Sequence, residues 1–268
     1  MVNIEGNLIK MRGEQDSPVR YFLRLGDKEI FLNDHIGKEI RLEFTGQINC
    51  ISCGKLTKTS FGQGFCYNCL QTAPEASESV MRPELSKAHF GIARDPAWAE
   101  EHDLIDHFVY LAASPDLKVG VTRHHQVPVR WIDQGAGSAV ILAKTPNRHI
   151  AGVMEVWLKQ FYSDKTNWRD MLQNKYVEID LQERKKEAFN LLTSELRKYY
   201  SPENPIISID YPVIKYPEKI ISLSFDKSPL VRNVLSGIKG QYLLFDDGSV
   251  LNVRRYNGYY VRFSSQLL

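Results

Sequence analysis

The chain has 268 residues, of which 43% are hydrophobic and 25% are charged, and its formal net charge is +2. This composition is ordinary for a globular protein, and the near-neutral charge excludes a general attraction to polyanions, so a nucleic-acid partner must be argued from local patches. No apolar stretch approaches the ~20 residues that a membrane-spanning helix needs, and the N-terminus lacks the apolar core of a secretory signal. We therefore predict a cytoplasmic protein with no membrane partner.

Residues 3–49 alternate apolar and polar residues in four short runs, NLIKM, VRYFLRL, KEIFL and EIRLEFTGQI. A period of two is typical of half-buried strands, and the segments between the runs contain turn residues. These runs predict a small antiparallel sheet or partial barrel that leads directly into the cysteines.

The chain's four cysteines form two Cys-x-x-Cys pairs separated by twelve residues; they are Cys50, Cys53, Cys66 and Cys69. Two such pairs are what a tetrahedral zinc site requires, because each pair forms a tight knuckle that directs two thiolates at one ion. Gly54 follows the first pair, where a knuckle needs a residue that tolerates positive φ. Gly62 and Gly64 supply the turn of a connecting hairpin. The pattern predicts a structural zinc ribbon.

The alternatives for the cysteines are disulfides and redox-active pairs. Disulfides are not expected in a chain without an export signal. A redox motif usually has one pair that opens a helix, whereas here two pairs flank a predicted hairpin. The spacing therefore favours zinc, but it does not distinguish a ribbon that contacts nucleic acid from one that only stabilises a fold.

Residues 73–105 contain several prolines and little periodicity, which predicts an ordered connector with short helices. A second metal site built from Glu84, His89, His102 and His107 is one reading of this region. The alternative is that these histidines are surface or hydrogen-bonded core residues.

From residue 107 onward the pattern predicts the order β–β–α–β–α. HFVYLAA and LKVGVT form a hairpin, VPVRWIDQGA a short helix, AVILAK a buried strand, HIAGVMEVWLKQFYSD a helix, and DKTNWRDML a further short helix. An amphipathic helix, LQERKKEAFNLLTSELRKYY, follows. The remaining chain is β-rich, with a hairpin at FDDGS, and its strands are expected to pack as one module.

The segment FVYLAASPDLKVGVTRHHQVPVRWIDQGA, with AVILAK and GVMEVWLKQF after it, resembles the GIY-YIG nuclease superfamily, in the branch whose second motif reads K-I-G-x-T. The resemblance covers roughly residues 107–170. It implies a three-stranded antiparallel sheet flanked by helices and a phosphodiester hydrolase that uses one divalent cation. Over nearly its full length the chain also looks like an uncharacterised bacterial family, domain-of-unknown-function family 2797, which implies no activity.

The GIY-YIG resemblance implies roles for individual residues. Tyr110 ends the first motif and is the candidate general base, with a pKa lowered by neighbouring cations. Arg130 on the first helix would bind phosphate, and Glu155 on the next helix would bind Mg²⁺. The other residues given catalytic roles are Lys118 and Arg123, which would stabilise charge, and Asn167, which matches a variable asparagine.

The motifs also depart from the family pattern. Phe108 stands where the first motif has glycine, and Lys118 replaces the second tyrosine, which removes one candidate base. These departures permit a domain that keeps the fold and binds phosphates without cutting them.

The sequence thus predicts an α+β protein in four segments. They are a β module with the four-cysteine zinc ribbon (1–75), a connector (76–106), a GIY-YIG-like domain (107–180), and a helix with a C-terminal β module (181–268).

We predict a Mg²⁺-dependent phosphodiesterase that acts on DNA or RNA, with a non-catalytic DNA- or RNA-binding protein as the alternative and a protein-interaction scaffold as a weaker one. The candidate nucleic-acid-binding residues are Arg123, His125, Arg130, Arg254 and Arg255. The aromatic residues beside the last two, Tyr256, Tyr259 and Tyr260, suit base stacking or an ordinary β-core.

Overall fold

The computed structural model describes residues 2–163 and 165–265. The chain divides into two compact units. The sheet unit combines the chain up to Gln71 with the chain from Ile209 onward, and the central unit is Thr72–Ser208. Both units contain strands and helices, which confirms the predicted α+β class. Among the described residues, no helix is both long enough and apolar enough to cross a lipid bilayer.

The sheet unit is built on nine strands from both ends of the chain. They are β1 (Val2–Glu14), β2 (Arg20–Leu25), β3 (Lys28–Phe31), β4 (Glu39–Ile48), β9 (Ile221–Ser222), β10 (Leu230–Lys239), β11 (Tyr242–Phe245), β12 (Ser249–Asn252) and β13 (Tyr259–Ser265). Their order is β3-β2-β1-β13-β4-β10-β11-β12-β9. The last strand therefore lies between β1 and β4, and strands of the segments 1–75 and 181–268 share one sheet.

The burial of β2 shows why these segments form strands with one face in the core. Tyr21, Leu23 and Leu25 are fully buried, whereas the residues between them reach solvent. Strand β10 was missed in the sequence because its second half, from Leu235 onward, is buried at every position and so loses the alternation that identifies a strand.

The central unit contains a four-stranded sheet in the order β6-β5-β7-β8. Its strands are β5 (His107–Ala113), β6 (Leu117–Arg123), β7 (Ser138–Thr145) and β8 (Ile207–Ser208). Its helices are α2 (Glu78–Met81), α3 (Pro96–His102), α4 (Val129–Asp133), α5 (Arg148–Leu158), α6 (Trp168–Leu172), α7 (Leu181–Leu191) and α8 (Ser194–Arg197). The order over residues 107–158 is β–β–α–β–α, as predicted, and the short helix predicted to follow it is α6.

The long helix predicted from residue 181 is in fact two. Helix α7 is capped by Asp180, whose carboxylate accepts from the backbone N–H groups of Gln182 and Glu183. It ends at Leu191, because Leu192 is extended with ψ 142°, and Thr193 is also extended before α8 begins. The break between the two helices lets Leu192 and the α8 residue Leu196 both pack into the core of the central unit.

The connector packs directly against α5. A Cβ added to Gly152 would lie 2.1 Å from the backbone nitrogen of Glu84, so the two backbones approach each other as closely as a glycine allows. Nearby, Asp95 caps α3 by accepting from the backbone N–H of Trp98. The predicted short helices of the connector are confirmed, and close packing fixes their position.

Candidate functional site

The first cysteine pair lies in a tight turn directly after β4. The backbone N–H of Cys50 donates to the Lys55 carbonyl at 2.9 Å, and the N–H of Gly54 donates back to the Cys50 carbonyl at 2.9 Å. Gly54 has φ +70°, as predicted for this knuckle. Besides these local bonds, the N–H of Ile51 donates to the Gly64 carbonyl at 2.9 Å, and the N–H of Asn49, just before the turn, donates to the Gly258 carbonyl at 2.8 Å.

The second pair opens a helix, which corrects the prediction that both pairs flank a hairpin. Helix α1 (Tyr67–Thr72) begins directly after Cys66, and the N–H of Leu70 donates to the Cys66 carbonyl at 2.9 Å. Cys69 is three residues further on, so one helical turn brings its thiol beside that of Cys66. The connecting hairpin is reduced to one bridge between Phe61 and Phe65.

The four thiols converge. Their sulfur atoms all lie within 4.8 Å of one another, and those of Cys53 and Cys66 are 3.9 Å apart. A tetrahedral zinc ion with Zn–S bonds of about 2.3 Å places its sulfurs about 3.8 Å apart, so the spacing fits. All four thiols are free, which excludes disulfides between them. The cluster can therefore hold a metal ion such as zinc.

The environment of Cys50 favours the thiolate that a metal needs. Burial acts to raise the pKa of this thiol, but hydrogen bonds from the backbone of Cys53, Cys66 and Ser52 outweigh burial and lower the pKa to about 6. Cys69 is shifted in the opposite direction, since a hydrogen bond with the Cys53 side chain, burial and a hydrogen bond with Cys66 raise its pKa to about 12. Metal binding requires deprotonated sulfur, so Cys50 is prepared for it, whereas Cys69 must lose its proton when the metal binds.

In the central unit, Tyr110 is completely buried in the middle of β5. Its hydroxyl donates to Oε1 of Gln134 at 2.7 Å, and its ring packs edge-on against Trp131 of α4 at 5.7 Å. Gly120 faces it from β6, and a Cβ there would lie 2.5 Å from the tyrosine hydroxyl oxygen. The glycine of the K-V-G motif thus leaves space for this ring.

Tyr110, Arg130 and Glu155 lie close enough to interact. Burial raises the pKa of Tyr110, Arg130 opposes this through its charge and a hydrogen bond, and the charge of Glu155 adds to the increase. Burial has the largest effect, so the pKa of Tyr110 is raised, and the prediction of a lowered pKa was wrong. The physical reason is that the ring is enclosed in the core, where an anion is poorly solvated.

Two further arginines join Arg130 in what we call the arginine cluster, defined as Arg123, Arg130 and Arg148. Burial lowers the pKa of Arg123, and the charges of Arg148 and Arg130 lower it further. Burial likewise lowers the pKa of Arg148, with Asp103 opposing this effect and Arg130 contributing to it. Three guanidinium groups therefore share a partly buried region, in which the neighbouring cations disfavour the charge of Arg123 and of Arg148.

Arg148 was missed in the sequence analysis, although it is the most firmly held member of the cluster. Its Nε donates to the Ser79 carbonyl at 2.7 Å, and its Nη2 donates to the Val80 carbonyl at 2.8 Å. The Asp103 carboxylate lies 3.8 Å from its Nε. The sequence signal was the Asn147 cap, which starts α5 at Arg148 and places Glu155 two turns later on the same face.

Glu155 is largely buried, and its carboxylate lies 3.5 Å from Nζ of Lys159 one turn later. Lys118 is also buried, on the β6 face that carries Gly120. Asn167 is exposed and caps α6, accepting from the N–H of Arg169 and donating to Asp170. His125 is exposed, and burial, His124 and Arg123 together lower its pKa.

The histidines of the connector do not form a metal site. His102 stacks on Trp98 with ring centroids 4.2 Å apart, and His89 lies against His149 at 4.4 Å. His107 is fully buried, and burial lowers its pKa to about 4. Across residues 2–163 and 165–265, the cysteine cluster is the one group of three or more potential ligands that converges.

The candidate residues near the C-terminus belong to the sheet unit. Tyr256 and Tyr259 are buried against each other with centroids 5.1 Å apart, so they are core residues and not a stacking platform. Arg255 is exposed and lies 4.0 Å from Asp226. Tyr260 and Arg254 are partly exposed.

Comparison with known proteins identifies a family and no activity. Neither a curated protein nor a solved structure matches the chain. A family model described as "Protein of unknown function (DUF2797)" matches residues 37–261, which include the cysteine cluster and the arginine cluster. Since the match covers most of the chain, this protein belongs to the DUF2797 family.

Proposed function

We propose that this protein acts on nucleic acid through a GIY-YIG-like centre in its central unit, as a Mg²⁺-dependent phosphodiesterase. The observation that carries the proposal is that Arg130 and Glu155 both lie close enough to Tyr110 to act on its hydroxyl. These are the three side chains that the resemblance assigns to the phosphodiester. They come from β5, α4 and α5, so their meeting depends on how the unit folds.

The arginine cluster supports a phosphate ligand. Its three cations have two nearby carboxylates, Asp103 and Glu155, as counter-charges. The Nε of Arg123 is buried without a hydrogen-bond acceptor among the described residues. A phosphate group brings the missing negative charge and acceptor oxygens, and guanidinium groups bind it in a bidentate manner. An unliganded cluster of like charges is costly, so an anion would be bound favourably.

Glu155 is the residue that would hold Mg²⁺. A single carboxylate is compatible with an ion that keeps most of its waters, although Lys159 competes for the same oxygens. When bound, the ion would stabilise charge on the phosphoryl oxygens. Tyr110 in its protonated form orients Gln134 and contacts Arg130; it acts as a base only where bound cations overcome the effect of burial.

The alternative function is nucleic-acid binding without cleavage. Two observations favour it, namely the raised pKa of Tyr110 and the ion pair of Glu155 with Lys159. Both leave the phosphate-binding arginines intact while weakening the catalytic roles. In either case we propose that the cysteine cluster holds a structural zinc ion, since four thiolates leave no open coordination position.

The test incubates the purified chain with labelled DNA and RNA pools, with and without Mg²⁺. Glu155→Gln is compared with Glu100→Gln, an exposed position on α3. We expect Mg²⁺-dependent cleavage that drops by about 100-fold or more in Glu155→Gln, with binding retained or strengthened because a negative charge near the arginines is removed. Glu100→Gln should behave as the wild type.

Arg130→Gln separates the two functions. If no cleavage occurs but this variant weakens binding and lowers the salt dependence by about one counterion, the binding function is correct. If neither cleavage nor binding depends on Arg130 or Glu155, the proposed centre is wrong.

A further inference from the structure

A cleft of about 540 Å³ opens beside the arginine cluster, within the central unit. Its lining comes from the connector and α3. One wall is apolar, with Leu85, Ile92 and Trp98, and three serines contribute polar groups. This volume lies within the range of about 300–1,000 Å³ that is usual for small-molecule sites. The cleft is therefore large enough for a nucleobase with its sugar.

Three lining residues contact the arginine cluster. The Ser79 carbonyl accepts from Arg148, and the Asp103 carboxylate lies 3.8 Å from the same side chain. The Trp98 ring lies 5.8 Å from the guanidinium carbon of Arg123. The arginines themselves do not line the cleft, but Arg123 and Arg148 each adjoin a residue that does, so a phosphate bound at the arginines lies near the cleft.

The charges of the lining indicate which end of a nucleotide enters the cleft. Three carboxylates line it, namely Glu78, Asp95 and Asp103, the last of which is only 4% exposed, together with the two cations Lys87 and Arg94. With more carboxylates than cations the cleft does not favour a phosphate, whereas the three cations of the arginine cluster beside it do. The flat Trp98 ring, stacked on His102, provides a rigid apolar surface suited to the face of a base.

We propose that this cleft binds the base of the nucleotide adjoining the bound phosphate, so that the protein takes an unpaired or extruded nucleotide and not a base held within a duplex. The proposal rests on the proposed function, because it places the phosphate at the arginine cluster. A base inside a duplex is stacked on its neighbours and paired, so it does not present its face to Trp98, which makes single-stranded or distorted nucleic acid the preferred ligand.

The experiment measures affinity of the full chain for a pool of single-stranded DNA tetranucleotides and for an abasic tetramer of the same charge. Ala93→Trp narrows the cleft from an exposed lining position, and Ala97→Trp on α3, outside the lining, is its matched control. We expect the pool to bind about tenfold or more tightly than the abasic tetramer, since stacking a base contributes at this level. Ala93→Trp should abolish that difference and leave abasic binding unchanged, while Ala97→Trp preserves it.

The outcomes separate the two proposals. If the wild-type chain binds the tetranucleotide pool and the abasic tetramer with equal affinity, the cleft proposal is overturned and the proposed phosphate site is not. This comparison needs no variant. A preference for bases that Ala93→Trp does not reduce, in protein whose melting temperature is unchanged, places the base elsewhere and also overturns it. Binding of neither tetramer overturns the proposed function itself.

Discussion

The cysteine cluster and the arginine cluster gather their side chains by different means. The four cysteines lie within twenty residues, and a knuckle and one helical turn orient them. The arginines come from β6, α4 and α5, and Arg148 is held by carbonyls of the connector some seventy residues away. The first site is therefore local, whereas the second exists only after the central unit has folded.

The two sites also differ in what a ligand does for them. In the cysteine cluster a metal ion would join the four thiols, so the free energy of metal binding would also stabilise the folded loop. The arginine cluster is held in place by the packing of the central unit, whose stability offsets the repulsion between the like charges. Removing the metal should therefore unfold the cysteine loop, whereas removing the phosphate should leave the three arginines in place. The following changes test this difference, in order of expected effect.

Removing one metal ligand should have the largest effect. Cys66→Ser takes one of four thiolates from the cluster, and we expect bound zinc to fall from one ion per chain to nearly none, with a loss of stability on the order of 3 kcal/mol or more in the sheet unit. Elemental analysis and thermal unfolding measure the two effects. Lys58→Ala, exposed in the same loop, should change neither. A variant that keeps its zinc and its stability would contradict a local, metal-dependent site.

Two glycines allow a direct comparison of the sites. Gly120→Ala places a methyl group 2.5 Å from the buried hydroxyl of Tyr110, and we expect a loss of about 2–3 kcal/mol because the ring has no room to move. Gly54→Ala meets open space but keeps φ +70°, which costs about 1 kcal/mol. Denaturant unfolding measures both, and a larger loss at Gly54 would reverse the comparison.

Acid should weaken the central unit through His107. Burial lowers the pKa of this histidine to about 4, below its usual 6.5, so the unfolded chain takes up a proton first as the pH falls. The stability that the neutral ring contributes is complete above pH 6.5 and is lost between about pH 6.5 and 4; from pH 7.5 to 5 the loss is about 2 kcal/mol.

The corresponding variant is His107→Asn, whose amide can donate to the Ile105 carbonyl as Nδ1 of the histidine does. Between pH 7.5 and 5, we expect this variant to lose about 2 kcal/mol less unfolding free energy than the wild type does. His124→Asn, at an exposed neighbouring position, removes only the smallest of the effects that lower the pKa of His107 and should change the slope far less. An unchanged slope in His107→Asn would show that this ring does not titrate below its usual range.

The smallest change concerns the start of α5. Asn147 caps this helix by accepting from the N–H of Ile150 at 3.0 Å. Asn147→Ala should cost about 1 kcal/mol and loosen the first turn, which carries Arg148. The free energy of unfolding and the affinity for phosphate should both decrease slightly, whereas the zinc content should stay constant. If phosphate binding is unaffected, the carbonyls of Ser79 and Val80 suffice to position Arg148.

The two sites also differ in how much of each could be predicted from the sequence. The cysteine spacing and Gly54 predicted a convergent cluster, because the knuckle depends on neighbours in sequence. The hairpin of β5 and β6 and the helix with Glu155 were equally readable, since period and turn residues are local signals. The continuous helix from residue 181 and the flanking hairpin of the cysteines were wrong where packing or a helical turn replaced the expected geometry.

By itself, the sequence determined the positions of the four cysteines that could hold a metal and the β–β–α–β–α order, and it singled out the candidate residues Tyr110, Arg130 and Glu155. Only the tertiary structure decided that β13 lies between β1 and β4, that Arg148 joins the arginine cluster, and that burial raises the pKa of Tyr110. The physical reason is that strand pairing, like-charge proximity and desolvation depend on residues far apart along the chain, and no local pattern records them.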